Sequence, residues 1–281
     1  MVIAVTRLIN AELFKLRKRS MTWVLFFVLI GIMVVFYVVL FFISKATIPA
    51  HGSQEMLGVP MVIPFVLSIL FPFGIILSVI LITSSIGTEY NWRTIRTMLI
   101  CSESRFKLLG AKLIAVGILM LIGLVVGVAA GFIMSLITTA IGGYALNFSF
   151  ATGGYFWAQF LQFWRTFYVL IPYVLLGFLF AVIGRSSIPG LVLGIGEFFL
   201  ESMIAALLRL AGGWIAKIPD YLLTVNVNAI NTLSDVAPKV PVVGDSSQMP
   251  GLPHAFVTVA VYNLVFIMIA FYLFRKRDVT S

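Results

Sequence analysis

Charge is scarce in this chain of 281 residues: Asp and Glu number 10, Lys and Arg 19, and charged residues make up only 10% of the whole. So few polar groups cannot cover a soluble globule of this size, and with 61% hydrophobic residues the surface must face lipid instead. Cysteine is nearly absent. Cys101 stands alone, which excludes an intrachain disulfide and any multi-cysteine metal site. The two histidines, His51 and His254, fall far apart on expected loops, and no His-Glu-x-x-His pattern occurs, so neither a metal site nor a His-based active site is expected. No Gly-x-x-x-x-Gly-Lys-Ser/Thr loop is present, so the chain has no phosphate cradle of that kind and is not expected to be an enzyme. The net charge of +9 would point to nucleic acid in a soluble domain. Here the basic residues flank apolar runs, where anionic headgroups and membrane topology account for them and no nucleic-acid partner is needed.

Long hydrophobic runs are what the chain has in abundance. Six are near or above the roughly 20 residues that cross a hydrocarbon core of about 30 Å: residues 22–44, 61–86, 113–140, 160–183, 189–208 and 255–274. The expected fold is an all-α polytopic membrane protein, one transmembrane domain over residues 1–281. Within residues 1–21, Val5, Leu8, Ile9, Leu13 and Leu16 recur at helical spacing, with Arg7, Asn10, Lys15 and Lys18 on the remaining face. This reads as a helix lying in the interface. The basic stretch before the first run has the look of a signal peptide, but the run is too long and no small-residue cleavage site follows, so it is read as an uncleaved span. Residues 209–254 form the longest non-spanning stretch, apolar enough in its first half for a short or re-entrant helix at the outer interface.

Between the second and third runs lies the one long polar island, residues 87–112. It carries Arg93, Arg96, Arg105, Lys107 and Lys112 against Glu89 and Glu103, and keeps Trp92, Ile95, Met98, Leu99, Phe106 and Leu108 at spacings near three and four. That is an amphipathic helical pattern. Five basic residues from the N-terminal segment, five from the island, Arg185 and three at the C-terminal end put 14 of the 19 on one side. The positive-inside rule assigns that side, with both termini, to the cytoplasm.

Two features mark the spans themselves. Gly123, Gly127 and Gly131 repeat at four-residue steps and lay a flat groove along one helix face, against which a helix of this chain or of a second copy can pack closely. Glu197 and Glu201 stand one turn apart on the fifth span, roughly 12 and 18 Å along a helix starting at Pro189. Carboxylates at that depth must be protonated, paired or facing water. They read either as a hydrogen-bonded pair that fixes helix packing or as a polar lining for a translocation path.

The island also carries a family resemblance. Glu89-Tyr-Asn-Trp-Arg-Thr-Ile-Arg-Thr-Met-Leu, then Ser104-Arg105 and Ala111-Lys112, resembles the segment after the second span in permeases of the ABC-2 type transporter superfamily. Glu12-Leu-Phe-Lys-Leu-Arg-Lys-Arg19 leading into the first span is similar to them as well. The resemblance implies a transmembrane subunit of an ATP-binding cassette exporter, paired with a second permease copy in a homodimer and with two separate ATPase subunits. Those subunits would bind ATP and magnesium, and this chain would hold no cofactor. It implies that the N-terminal interfacial helix and a cytoplasmic coupling helix between spans 2 and 3 dock on the ATPase, making Glu89, Arg93, Arg96 and Arg105 coupling candidates. It also places the second and fifth spans toward the dimer centre, which favours a pathway role for Glu197 and Glu201. The implied location is the plasma membrane, in a bacterial or archaeal cell the inner membrane. The alternatives are a proton- or ion-coupled secondary carrier, in which intramembrane carboxylates would couple transport, and a non-transporting scaffold or immunity subunit.

Overall fold

A computed structural model of the chain describes residues 2–46, 61–92, 105–142, 151–232 and 250–276. These residues are helical almost throughout: α1 (Val2–Lys18), α2 (Ser20–Ala46), α3 (Val62–Asn91), α4 (Arg105–Gly142), α5 (Gly153–Gly184), α6 (Ser187–Ala211), a 3-10 helix (Ile215–Tyr221), α7 (Leu223–Asn231) and α8 (Leu252–Lys276). Six of them, α2 to α6 and α8, are long and apolar enough to cross a membrane. An α-helix is the form such runs must take, because it satisfies every backbone N–H and C=O within the segment where no water can do so. Several helices outrun the apolar stretch that starts them. α4 has 38 residues, and α3 continues through Pro72 to Asn91, so both ends of the polar island are extensions of the flanking spans. Arg93 and Arg96 lie outside the described residues, and Arg105 opens α4.

Helix burial sorts the bundle. In α3 and α5, 61% and 67% of the most apolar stretch is buried, against 11% in α6 and in α8, so the first two form the core and the last two its rim. The second span, α3, is therefore wrapped by its own chain, whereas α6 keeps a broad apolar face open. Small residues set the close approaches, as expected where lipid removes the hydrophobic drive and packing decides. A Cβ at Gly127 would come 2.7 Å from Leu70 on α3, and one at Gly131 would strike Val66 one turn away. The glycine groove of α4 thus receives α3 of the same chain at two of its three positions. Gly123 meets nothing within 4 Å. A second small-residue contact joins α5 and α6, where a Cβ at Gly190 would lie 2.7 Å from the carbonyl oxygen of Gly177 and one at Gly194 would lie 3.1 Å from Gly177 Cα.

Contacts across the bundle gather the basic residues at one end. Gly87 near the end of α3 abuts Ser187 at the start of α6, which places the Arg185 turn there. Phe106 at the start of α4 stacks on Phe271 near the end of α8, with ring centroids 5.7 Å apart. α1 packs against α4 at the same end. At the opposite end the chain leaves α6 through Gly212 and Gly213, both at positive φ, and α7 runs back into the bundle. Seven of the nine residues of α7 are buried.

Candidate functional site

The basic end is built around one lysine. Lys112, two turns into α4, is 2% exposed, and its ammonium donates to Glu12 Oε2 of α1 at 2.8 Å, to Glu89 Oε1 of α3 at 2.7 Å and to Ser85 Oγ of α3 at 3.3 Å. An ammonium has three donors, and here each has an acceptor on a neighbouring helix. Glu12 and Glu89 are 2% and 4% exposed. Lys15, half-buried on α1, donates to Glu12 Oε1 at 2.5 Å and stands 3.9 Å from Glu89 Oε1. Among the described residues, two carboxylates therefore meet two ammonium groups.

The helices bring these groups together for local reasons. Glu12 and Lys15 are three apart on α1 and share a face. Ser85 and Glu89 are four apart on α3 and share another. α3 and α4 run antiparallel from the island, so a carboxylate just before it can face an ammonium just after it. Burial pushes the Glu12 carboxyl up, but the Lys112 charge, its hydrogen bond and those of Lys15 outweigh this and hold Glu12 below the usual carboxylate range. The result is a knot that ties α1, α3 and α4 into one body. Arg19 adds a strand to it, its Nη1 donating to the Ser84 carbonyl at 3.3 Å.

The other ionisable pair lies deeper. Glu201 on α6 accepts from the backbone N–H groups of Leu223 and Thr224, each at 2.7 Å, and from the Thr224 hydroxyl at 2.5 Å. Leu223 and Thr224 are the first residues of α7, whose N-cap position is Leu222, a side chain unable to cap. Glu201 supplies the missing cap from another helix, at the positive end of the α7 dipole. Tyr173 of α5, fully buried, donates to the same Thr224 hydroxyl at 3.1 Å, and Gln162 of α5 donates to the Asn231 carbonyl at 3.1 Å, so α7 is held at both ends. Glu197 stands one turn before Glu201 on the same face of α6, and its Oε2 is buried without a hydrogen-bond partner.

Of the coupling candidates, the structure therefore brings Glu89 into a buried cluster with Glu12, Lys15, Ser85 and Lys112, while Arg93 and Arg96 lie outside the described residues and Arg105 is described only as the first residue of α4. Glu197 and Glu201 are brought together, and with them Tyr173 and Thr224. In the sequence Lys112 is one of the island charges and Glu12 part of a motif, and nothing local pairs them. The one available signal was that Lys112 opens an apolar run, where an ammonium demands an acceptor. Among the described residues, no three His, Cys, Asp or Glu side chains are grouped so as to hold a metal ion.

No curated protein matches the chain. The family model described as "ABC-2 family transporter protein" matches residues 8–226, a stretch that takes in the second half of α1, the knot and the Glu201 cap of α7. With six membrane-crossing helices and that match over most of its length, the chain belongs to the ABC-2 transporter family and is a multi-pass membrane component of an ABC-type transporter.

Proposed function

We propose that this chain is the permease subunit of an ATP-driven exporter, whose power stroke enters through the knot on Lys112. Family membership implies association with an ABC ATPase. The observation that supports the rest is that the two segments expected to meet that ATPase, α1 and the island, are joined by a buried ionic cluster on one α4 lysine. A push on either segment would move α1, α3 and α4 together. In this reading the basic end faces the cytoplasm, two ATPase subunits carry ATP and magnesium, and two copies of the permease form a homodimer across the open face of α6. Arg93, Arg96 and Arg105 are the docking charges, while Glu89 acts from inside the knot. Glu201 is committed to α7, which leaves Glu197, with its unpartnered oxygen, as the polar group toward a permeating substrate.

The test uses the tagged permease expressed with the ATPase from the neighbouring reading frame. The ATPase should co-purify, and in lipid nanodiscs the permease should change its rate of ATP hydrolysis. A triple variant, Glu12→Gln with Glu89→Gln and Lys112→Met, removes the three buried charges of the knot and leaves only the half-exposed Lys15 ammonium, which water can solvate. The single Lys112→Met would leave two carboxylates buried, at a cost of about 3 to 5 kcal/mol that confounds folding with coupling. The triple variant should still bind the ATPase and lose its effect on hydrolysis. Unaltered control of hydrolysis would remove the knot from the mechanism, and uptake driven by a proton gradient without any ATPase would favour a secondary carrier.

A further inference from the structure

A narrow cleft descends the flank of the bundle from its basic end, walled by α2, α3 and α4 and floored by Leu170 of α5. Its wall is apolar except for two hydroxyls, Thr22 and Ser78. Ser78 is spent on its own helix, donating to the carbonyl of Gly74 at 2.5 Å or of Ile75 at 3.0 Å. Thr22 is only 4% exposed, and its Oγ1 is buried with no hydrogen-bond partner, although a helical threonine can ordinarily bond back to the preceding turn. Gly123 lines the cleft, and a Cβ there would touch nothing within 4 Å, so the wall is cut away where the first glycine of the α4 repeat fails to meet a helix.

What could fill such a space is limited by size and chemistry. The cleft has a volume of about 60 Å³, far less than a second copy's helix, about 10 Å across, would take up. Water needs two to four polar partners and here finds one free hydroxyl. A hydrocarbon chain satisfies the rest of the wall. Arg19 stands above Thr22, three residues before it and roughly one turn higher, its carbonyl accepting from the Thr22 N–H at 3.2 Å. The Arg19 guanidinium is fixed over α3 by its contact to the Ser84 carbonyl and has further N–H groups to offer an anion.

We propose that the cleft binds one anionic phospholipid of the leaflet at the basic end. An acyl chain lies beside Gly123, a glycerol ester carbonyl accepts from the Thr22 hydroxyl, and the phosphate pairs with Arg19. The depth order of the three protein groups, charge above hydroxyl above apolar wall, is that of the lipid itself.

Native mass spectrometry of the purified full chain, stripped of lipid and titrated with phosphatidylglycerol or with phosphatidylcholine of the same acyl chains, tests this. The wild type should retain one phosphatidylglycerol in preference to phosphatidylcholine. Gly123→Leu fills the cleft without a backbone clash and should lower occupancy tenfold or more with the melting temperature kept or raised, while Gly123→Ala should bind as wild type. Gly127→Leu, pressed against Leu70, serves as the overpacked control, with a lowered melting temperature. Thr22→Val should weaken binding of both lipids, and Arg19→Gln should abolish the preference between them; these two read the site independently of any change at Gly123. Wild-type occupancy in Gly123→Leu, or equal retention of the two lipids by the unaltered chain, would overturn the assignment.

Discussion

A lysine can be enclosed at 2% exposure only because its three donors are all answered. The desolvation of an ion costs several kcal/mol, and the return comes from close, well-aligned partners. This makes the cluster sensitive to acid in a definite sense. The folded state depresses the Glu12 carboxyl below the ordinary value of 4.5. A depressed carboxylate contributes stability that is fully present above its unfolded pKa and is lost as pH falls through the lower folded value. The chain in detergent should therefore keep its melting temperature from neutral pH to about 5 and lose it progressively below about 4.5. Glu12→Gln should start lower and show a shallower acid slope. An identical slope in the variant would mean that Glu12 gains nothing from Lys112.

Among the elements, α7 owes its place to a side chain that is not its own. Nine residues are too few for a helix to persist unaided, and its N-terminus has no capping side chain. Glu201 answers Leu223 N–H, Thr224 N–H and the Thr224 hydroxyl at once. Removing it leaves buried donors unmade, at about 1 to 3 kcal/mol for each group left without a partner. In Glu201→Ala, amide hydrogen exchange should therefore quicken across Leu223 to Asn231 by tenfold or more while α3 and α5 stay protected. Glu201→Gln should fall between, since the amide keeps one acceptor oxygen and loses the charge. Protection of α7 unchanged in both variants would free Glu201 from this structural duty and return it to the pathway reading.

For the whole molecule, the distribution of charge bears on which way the bundle faces. The structure collects α1, the Arg185 turn and the end of α8 at one end, so the charge bias follows a real surface, and the positive-inside rule can act on it. In a Cys101→Ser background, Lys107→Cys should be shielded from an impermeant thiol reagent in intact cells and Ser246→Cys should react; the reverse pattern would invert the orientation. The number of spans and their helical form were legible in the sequence, because each is a local requirement: an apolar run of sufficient length with its backbone bonds closed inside itself. Glu89 was legible as a coupling candidate only through the family resemblance. Its partners were not. Lys112 lies 23 residues from Glu89 and 100 from Glu12, and Glu201 lies 22 from Leu223, separations at which neither helical periodicity nor composition carries information. The three glycines of α4 make the same point, since they look alike in sequence, yet Gly127 and Gly131 receive α3 and Gly123 borders an open cleft. The sequence by itself determined what crosses the membrane, because hydrocarbon tests each segment alone. Only the tertiary structure decided what each crossing helix touches, because between helices in lipid the choice rests on fitted shape and on polar groups finding one another across distant parts of the chain.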